Sequence, residues 1–80
     1  MSFVSQPAKF SATVTPSDVT NLSAPTTCLY IGVSGDVSVQ MAGNGNTQIF
    51  ANVPVGILPV QCTRVNSTGT SATDIVALWS

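Results

Sequence analysis

Turn-forming residues interrupt this chain of 80 residues at intervals of about 8–12 residues, a spacing typical of all-β proteins. Val, Ile and Thr supply 25 of the 80 residues, whereas Leu supplies four and Lys one. β-branched side chains lose rotamer freedom in a helix and pack well on a pleated sheet. No segment repeats apolar residues at i, i+3, i+4 and i+7 for three turns. The sequence therefore predicts strands and no helix.

The positions of the turns predict about six short strands. The clearest pair is Asp36 to Met41, which alternates polar and apolar residues, and Thr47 to Val53. Gly43-Asn44-Gly45-Asn46 lies between them, and Asn-Gly tolerates the positive φ angles of a tight hairpin. The other four strands are predicted at Phe10 to Thr15, Cys28 to Val33, Ile57 to Val65 and Thr73 to Trp79. Pro59 cannot donate a ladder hydrogen bond, so we expect it at an edge or a bulge.

Short connections between consecutive strands favour antiparallel pairing. We therefore expect an all-β fold, a small antiparallel β-sandwich or barrel-like (jelly-roll-like) single domain spanning residues 12–80. Cys28 to Val33 and Ile75 to Trp79 are apolar on both faces, which predicts strands that are central or covered by a partner. The alternating strand Asp36 to Met41 is expected to turn one face to solvent. Residues 1–11 are predicted to form an N-terminal arm, and a frayed tail is the alternative at this end.

Only five side chains are charged, namely Lys9, Arg64, Asp18, Asp36 and Asp74. Two basic residues cannot neutralise a run of phosphates, so we expect no nucleic-acid partner. The longest apolar run, about Cys28 to Val33, is far shorter than the roughly 20 residues of a membrane span, so no membrane partner is expected. A net charge of −1 gives little repulsion between copies. Because domains of this size often gain stability by association, we expect a homo-oligomer.

The residues that carry most enzyme chemistry are missing or scattered. The chain has no His and no Glu, so neither Cys28 nor Cys62 has a His base to activate it. Asp18, Asp36 and Asp74 do not share the spacing of a calcium loop and are expected to cap turns. We therefore predict no catalytic residue, no metal site and no cofactor, and a chain that is not an enzyme. The two cysteines are expected to behave as small buried hydrophobes, with a disulfide as the alternative.

Four residues are candidates for an oligomer or docking interface. Aromatic residues are enriched at interface centres, and Phe3, Phe10 and Trp79 lie near the two chain ends. Trp79 could equally belong to the core, where Tyr30 and Phe50 are expected. Arg64, the single Arg, could pair with an Asp of this chain or with a partner across an interface.

An ordered series of motifs gives the chain a family resemblance over about residues 12–79. The motifs are "TPSD" (Thr15 to Asp18), "LYIGVSGDVSVQMAG" (Leu29 to Gly43), "FANVPVGILPVQCTRV" (Phe50 to Val65) and "TGTSATDIVALW" (Thr68 to Trp79). In this order they resemble a family of small phage and prophage structural proteins. One branch of that family is the spike base protein of phage-like gene-transfer-agent heads. This sequence departs from it in its two cysteines and its very short, weakly charged N-terminal segment.

The resemblance implies a virion structural protein, either a capsid decoration or a head spike-base subunit, that acts by oligomerisation and docking. The implied partners are copies of itself, as a pentamer or a trimer, and the major capsid protein or a spike fibre protein. The implied location is the exterior of the virion head, after assembly in the bacterial host cytoplasm. The resemblance transfers no catalytic residue. The alternative is a carbohydrate-binding, host-recognition module of a phage spike or tail, which loops rich in Asn, Ser, Thr and Gln would support.

Overall fold

Seven strands form the regular structure of residues 9–80, which are the residues that this computed structural model describes. Their bounds are β1 (Phe10–Thr13), β2 (Cys28–Val33), β3 (Gly35–Met41), β4 (Thr47–Val53), β5 (Gly56–Leu58), β6 (Cys62–Val65) and β7 (Thr73–Trp79). These residues contain no helix, so the predicted all-β class is confirmed. None of their elements is a helix long and apolar enough to cross a membrane.

The strands form two antiparallel sheets. One sheet has four strands in the order β1-β7-β2-β5, and the other has three in the order β4-β3-β6. β2 and β7 are the two middle strands of the larger sheet, as their apolar sequences predicted. The predicted hairpin joins β3 to β4 through Gly45, whose φ of 73° is in the region that glycine tolerates.

The core is formed by alternate residues of the central strands together with a few loop residues. Leu29 and Ile31 of β2 lie opposite Ala77 and Ile75 of β7, and all four are buried. The other buried apolar residues are Val14, Val37, Val39, Val53, Val60, Cys62, Val65 and Ala72. Both sheets therefore contribute to one hydrophobic cluster, as expected for a single domain of two layers.

One predicted strand is in fact two strands that belong to different sheets. The segment predicted as Ile57 to Val65 divides into β5, which pairs with β2, and β6, which pairs with β3. Pro59 lies at this corner, where the Val60 N–H donates to the Leu58 carbonyl at 2.9 Å. Because proline has no N–H to continue a ladder, the chain changes sheets here. This division raises the strand number from about six to seven.

The outer face of β3 is less exposed than its alternation predicted. Ser38 is buried because the segment 66–71 folds back over it. The Ser38 N–H donates to the Thr70 hydroxyl at 2.9 Å, and the Ser38 carbonyl accepts from the Asn66 N–H at 2.8 Å. The alternating pattern identified the polar face correctly. It carried no information on whether a loop would cover that face.

The larger sheet begins close to the predicted boundary of the arm. β1 starts at Phe10, two residues before the predicted domain start at Ala12, and Phe10 lies opposite Trp79 of β7. Residues 1–8 of the predicted arm, including Phe3, lie outside the described residues.

Candidate interaction surfaces

The outer face of the four-stranded sheet is apolar and uncovered in the single chain. Five residues define this outer apolar face: Cys28, Tyr30, Ile57, Val76 and Leu78. They alternate with buried residues of the same strands, and their cross-strand pairs place them on one side of the sheet. Tyr30 is 41% exposed and Ile57 is 56% exposed. A contiguous apolar surface without a charged member is typical of an interaction site.

Tyr30 was expected in the core and lies on this outer face instead. Strand β2 is apolar on both sides, so its pattern did not distinguish the inward residues from the outward ones. The distinction comes from Leu29 and Ile31, which point into the core and leave Tyr30 between them facing outward. Phe50, also expected in the core, is half-buried and packs against the core cluster.

Two of the four predicted interface residues meet at one corner of the larger sheet. The rings of Phe10 and Trp79 are stacked, with centroids 5.9 Å apart. Phe10 is 52% exposed, whereas Trp79 is half-buried and packs against the core cluster. Stacked aromatic rings with one exposed member form a rigid apolar surface that a partner could cover. Arg64 lies on the other sheet and does not join this corner.

Arg64 instead lines a polar groove of about 300 Å³ over the three-stranded sheet. The groove is lined by Asp18, Ser38, Gln40, Thr47, Ile49, Arg64, Asn66, Thr68 and Gly69. The Arg64 Nε donates to Asn66 Oδ1 at 2.9 Å. Asn66 Nδ2 in turn donates to Ser38 Oγ at 3.2 Å and Gln40 Oε1 at 3.3 Å. The lining side chains are therefore held in place by one another. The sequence pattern did not predict this groove, because its residues come from four separate segments.

Asp18 holds the far wall of the polar groove in place. Its carboxylate accepts from the Thr68 hydroxyl at 2.6 Å and from the backbone N–H groups of Ser67 and Thr68, each at 3.0 Å. The hydrogen bonds from the Thr68 hydroxyl and then the Thr68 N–H hold the pKa of Asp18 below its ordinary value. The predicted role as a turn cap is close to this role, although the turn that Asp18 caps lies 49–50 residues along the chain.

Replacing Asp18 by asparagine is expected to lower the melting temperature at pH 7. The folded-state pKa is lower than the unfolded one, so the stabilisation is fully present above the unfolded pKa and is lost as the pH falls through the folded pKa. The difference between wild type and Asp18→Asn should therefore be present at pH 7 and close in acid. Thermal melts from pH 7 to pH 2 would measure it.

Asp74→Asn is the matched control for this prediction. Asp74 is exposed, and its φ of 54° is one that asparagine adopts readily. We expect this variant to melt close to wild type at pH 7. A pH-independent difference between Asp18→Asn and wild type would contradict the role assigned to the carboxylate charge.

The two cysteines lie in different sheets and are both free thiols. Cys62 is buried in the core, and burial raises the pKa of its thiol. The Thr26 hydroxyl lies 3.4 Å from its Sγ. Cys62 therefore has the predicted character of a small buried hydrophobe. Within residues 9–80, no group of three or more His, Cys, Asp or Glu side chains is placed to hold a metal ion.

Comparison with known proteins gives a similarity to a solved structure. No family model matches the chain, and no curated protein matches it. Among solved structures, the chain is similar to a chain of the capsid of a native GTA (gene-transfer-agent) particle computed with C5 symmetry. The two are 29% identical, superpose with a TM-score of 0.80, and correspond over 98% of this chain and 99% of that one. The described residues of this chain therefore share their fold with a chain of a gene-transfer-agent capsid.

Proposed function

We propose that this chain is a structural, non-enzymatic protein of a phage-like head. In the more specific form of the proposal, it is a capsid decoration or spike-base subunit that acts by self-association and docking on the exterior of the particle. The observation that carries the proposal is the similarity to a capsid chain over nearly the full length of both proteins, at 29% identity. The match covers 98% of this chain and 99% of that chain, so the domain described here is the part that the two chains share.

The surface chemistry supports docking. The five residues of the outer apolar face are uncharged, so covering them would bury no charge, and the exposed Asp74 lies at the border of this face beside Gly32. Removal of apolar surface from water contributes about 25 cal/mol per Å². A ring of identical subunits would let one small chain present a broad platform to the major capsid protein or to a spike fibre protein. Five copies would suit a vertex of the head, and three copies would suit a cement role between capsid subunits.

Purified particles provide the direct test. We expect the chain to co-purify with intact particles at a fixed ratio to the major capsid protein, measured by quantitative mass spectrometry. Particles from a strain lacking the gene serve as the control. Immunogold labelling of intact particles should detect the chain, because the proposed location is exterior. Absence of the chain from purified particles would overturn the proposal, and labelling only after particle disruption would overturn the exterior location.

The polar groove supports a second candidate function, the binding of a neutral carbohydrate. Its Arg64 guanidinium, which Asn66 orients, could donate to sugar hydroxyl groups, and its Asp18 carboxylate could accept from them. The lining contains no aromatic ring on which a sugar could stack. Calorimetry with host polysaccharide separates the two functions, since a purely structural subunit should show no heat of specific binding. Binding that disappears in Arg64→Ala would favour the carbohydrate function.

A further inference from the structure

The edges of the two sheets differ in how well the chain protects them. An edge strand presents unpaired N–H and C=O groups to which another strand can add. The outer edge of β6 is covered by the preceding segment 17–26. The N–H groups of Ser17, Leu22 and Thr26 donate to carbonyls of β6 at 2.8 to 3.0 Å. The edge of β5 is only three residues long and lies between Pro54 and Pro59, which stop a ladder from extending.

No other segment of residues 9–80 covers the edge of strand β4, which is seven residues long and has a bulge near Asn52. The Met41 N–H donates to the Asn46 carbonyl at 2.9 Å, so the backbone groups of Asn46 point toward β3. In an antiparallel ladder every second residue points the same way, so the backbone groups of Gln48 and Phe50 also point toward β3. On the other side of β3, the Ser38 carbonyl accepts from Asn66, which agrees with this alternation. The residues whose backbone groups point away from the sheet, before the bulge at residues 51–52, are therefore Thr47 and Ile49.

Strand β1 has the second unprotected edge. The Val14 N–H donates to the Ile75 carbonyl at 2.9 Å, which by the same alternation turns Phe10 and Ala12 toward β7. The backbone N–H and C=O groups of Ser11 and Thr13 then point away from β7, toward the open edge of the sheet. Within residues 9–80, the outward N–H groups of β1 and β4 donate to no other segment, and no side chain of either strand is charged.

We propose that the β1 edge of one copy pairs with the β4 edge of the next copy, so that copies join head to tail. This inference rests on the self-association included in the proposed function, and it names the surfaces involved. Pairing β1 with β4 satisfies both unprotected edges of every copy, and a closed ring leaves neither exposed. Pairing β4 with its own symmetry mate would leave β1 unpaired. Two different surfaces are also what a ring of three or five copies needs, because a two-fold interface cannot generate an odd ring.

Charge favours an antiparallel orientation of the two edges. Lys9 lies immediately before β1, and the Asp36 carboxylate accepts from the Asn52 N–H at 2.9 Å, near the end of β4. In an antiparallel β1–β4 pair the start of β1 meets the end of β4. Lys9 of one copy would then approach Asp36 of the next, whereas a parallel pair would place Lys9 at the opposite, uncharged end of β4.

Two proline variants test the pairing. Ile49→Pro removes an outward N–H of β4 and leaves β1 intact, whereas Thr13→Pro removes an outward N–H of β1 and leaves β4 intact. By native mass spectrometry and sedimentation we expect wild type to form a closed ring and each variant alone to remain monomeric. A mixture of the two variants should give a 1:1 pair and nothing larger, because one good β1–β4 contact survives.

Lysine variants repeat the test without changing the backbone. Ile49→Lys and Thr13→Lys place a charge on the two edges, and Val19→Lys places the same charge on a loop residue that is 85% exposed. We expect Val19→Lys to form rings like wild type and the two edge variants to lose them, with all three melting cooperatively. This arm replaces the proline arm if a proline variant fails to fold.

The alternative outcomes separate the pairing from the proposed function. Wild-type assembly by Thr13→Pro and Thr13→Lys would mean that β1 takes no part, and wild-type assembly by all edge variants would mean that another surface joins the copies. A wild-type chain that stays monomeric also overturns the pairing. In each case, presence of the chain on purified particles would leave the proposed structural role intact.

Discussion

Replacing Ile31 by alanine is expected to lower the free energy of unfolding by about 2–5 kcal/mol, the range found for truncation of fully buried aliphatic side chains. Ile31 is 0% exposed and lies on a middle strand of the larger sheet, opposite Ile75. The neighbouring strands are fixed by their ladders, so the core cannot easily close over the lost methyl groups. Domains of this size have a total stability of only about 4–12 kcal/mol at roughly 0.05–0.15 kcal/mol per residue.

The same change at an exposed isoleucine is the control. Ile57 lies on the adjacent strand β5 and is 56% exposed, so Ile57→Ala should cost about 0.5 kcal/mol or less in the monomer. At about 4–8 °C per kcal/mol, Ile31→Ala should lower the melting temperature by about 8–40 °C and Ile57→Ala by a few degrees. Equal shifts for the two variants, measured by circular dichroism, would contradict the assignment of Ile31 to the core.

The period-two patterns and turn residues were sufficient to predict most of the fold. β3 and β4 were predicted within one residue of their observed bounds because Asn44-Gly45 fixes the hairpin and Val37 and Val39 fix the buried face. β2 and β7 were predicted to be central or covered by a partner because they are apolar on both faces, and they are the middle strands of the larger sheet. These signals are local, so they can be read without knowing which distant strands pair.

The long-range arrangement could not be predicted from the same signals. The change of sheet at Pro59 depends on pairing β5 with β2 and β6 with β3, and no local pattern encodes those partners. The burial of Ser38 depends on contacts with Asn66 and Thr70, about 30 residues further along the chain. Strand pairing therefore had to be known before the faces and edges could be identified.

The candidate surfaces show the same limit. Phe10 and Trp79 were chosen for their chemistry, and the β1–β7 register brings them together. Tyr30 was assigned to the core because an apolar strand gives no sign of its outward side. The edges of β1 and β4 become visible only when the backbone hydrogen bonds show which groups lack a partner.

Replacing Thr26 by valine is expected to lower the free energy of unfolding by about 2–6 kcal/mol, although the two side chains have nearly the same shape. Thr26 is buried, and its hydroxyl donates to the Val60 carbonyl at 2.8 Å and accepts from the Cys62 N–H at 3.1 Å. Valine would leave both backbone groups without a partner in the interior, and each unsatisfied group costs about 1–3 kcal/mol. Denaturant unfolding would measure the loss, and Thr26→Ser should recover part of it because it restores the hydroxyl.

The adjacent threonine is the matched control. The Thr27 hydroxyl donates to the Leu78 carbonyl at 3.1 Å, but Thr27 is exposed, so water can replace that bond in Thr27→Val. Thr26 also lies at the end of the segment that covers the edge of β6, since its N–H donates to the Cys62 carbonyl. Loosening this segment would uncover a third edge, so Thr26→Val should form aggregates that grow with concentration while Thr27→Val does not. Equal stability and equal aggregation of the two variants would show that Thr26 neither supports the corner at Pro59 nor holds the covering segment against β6.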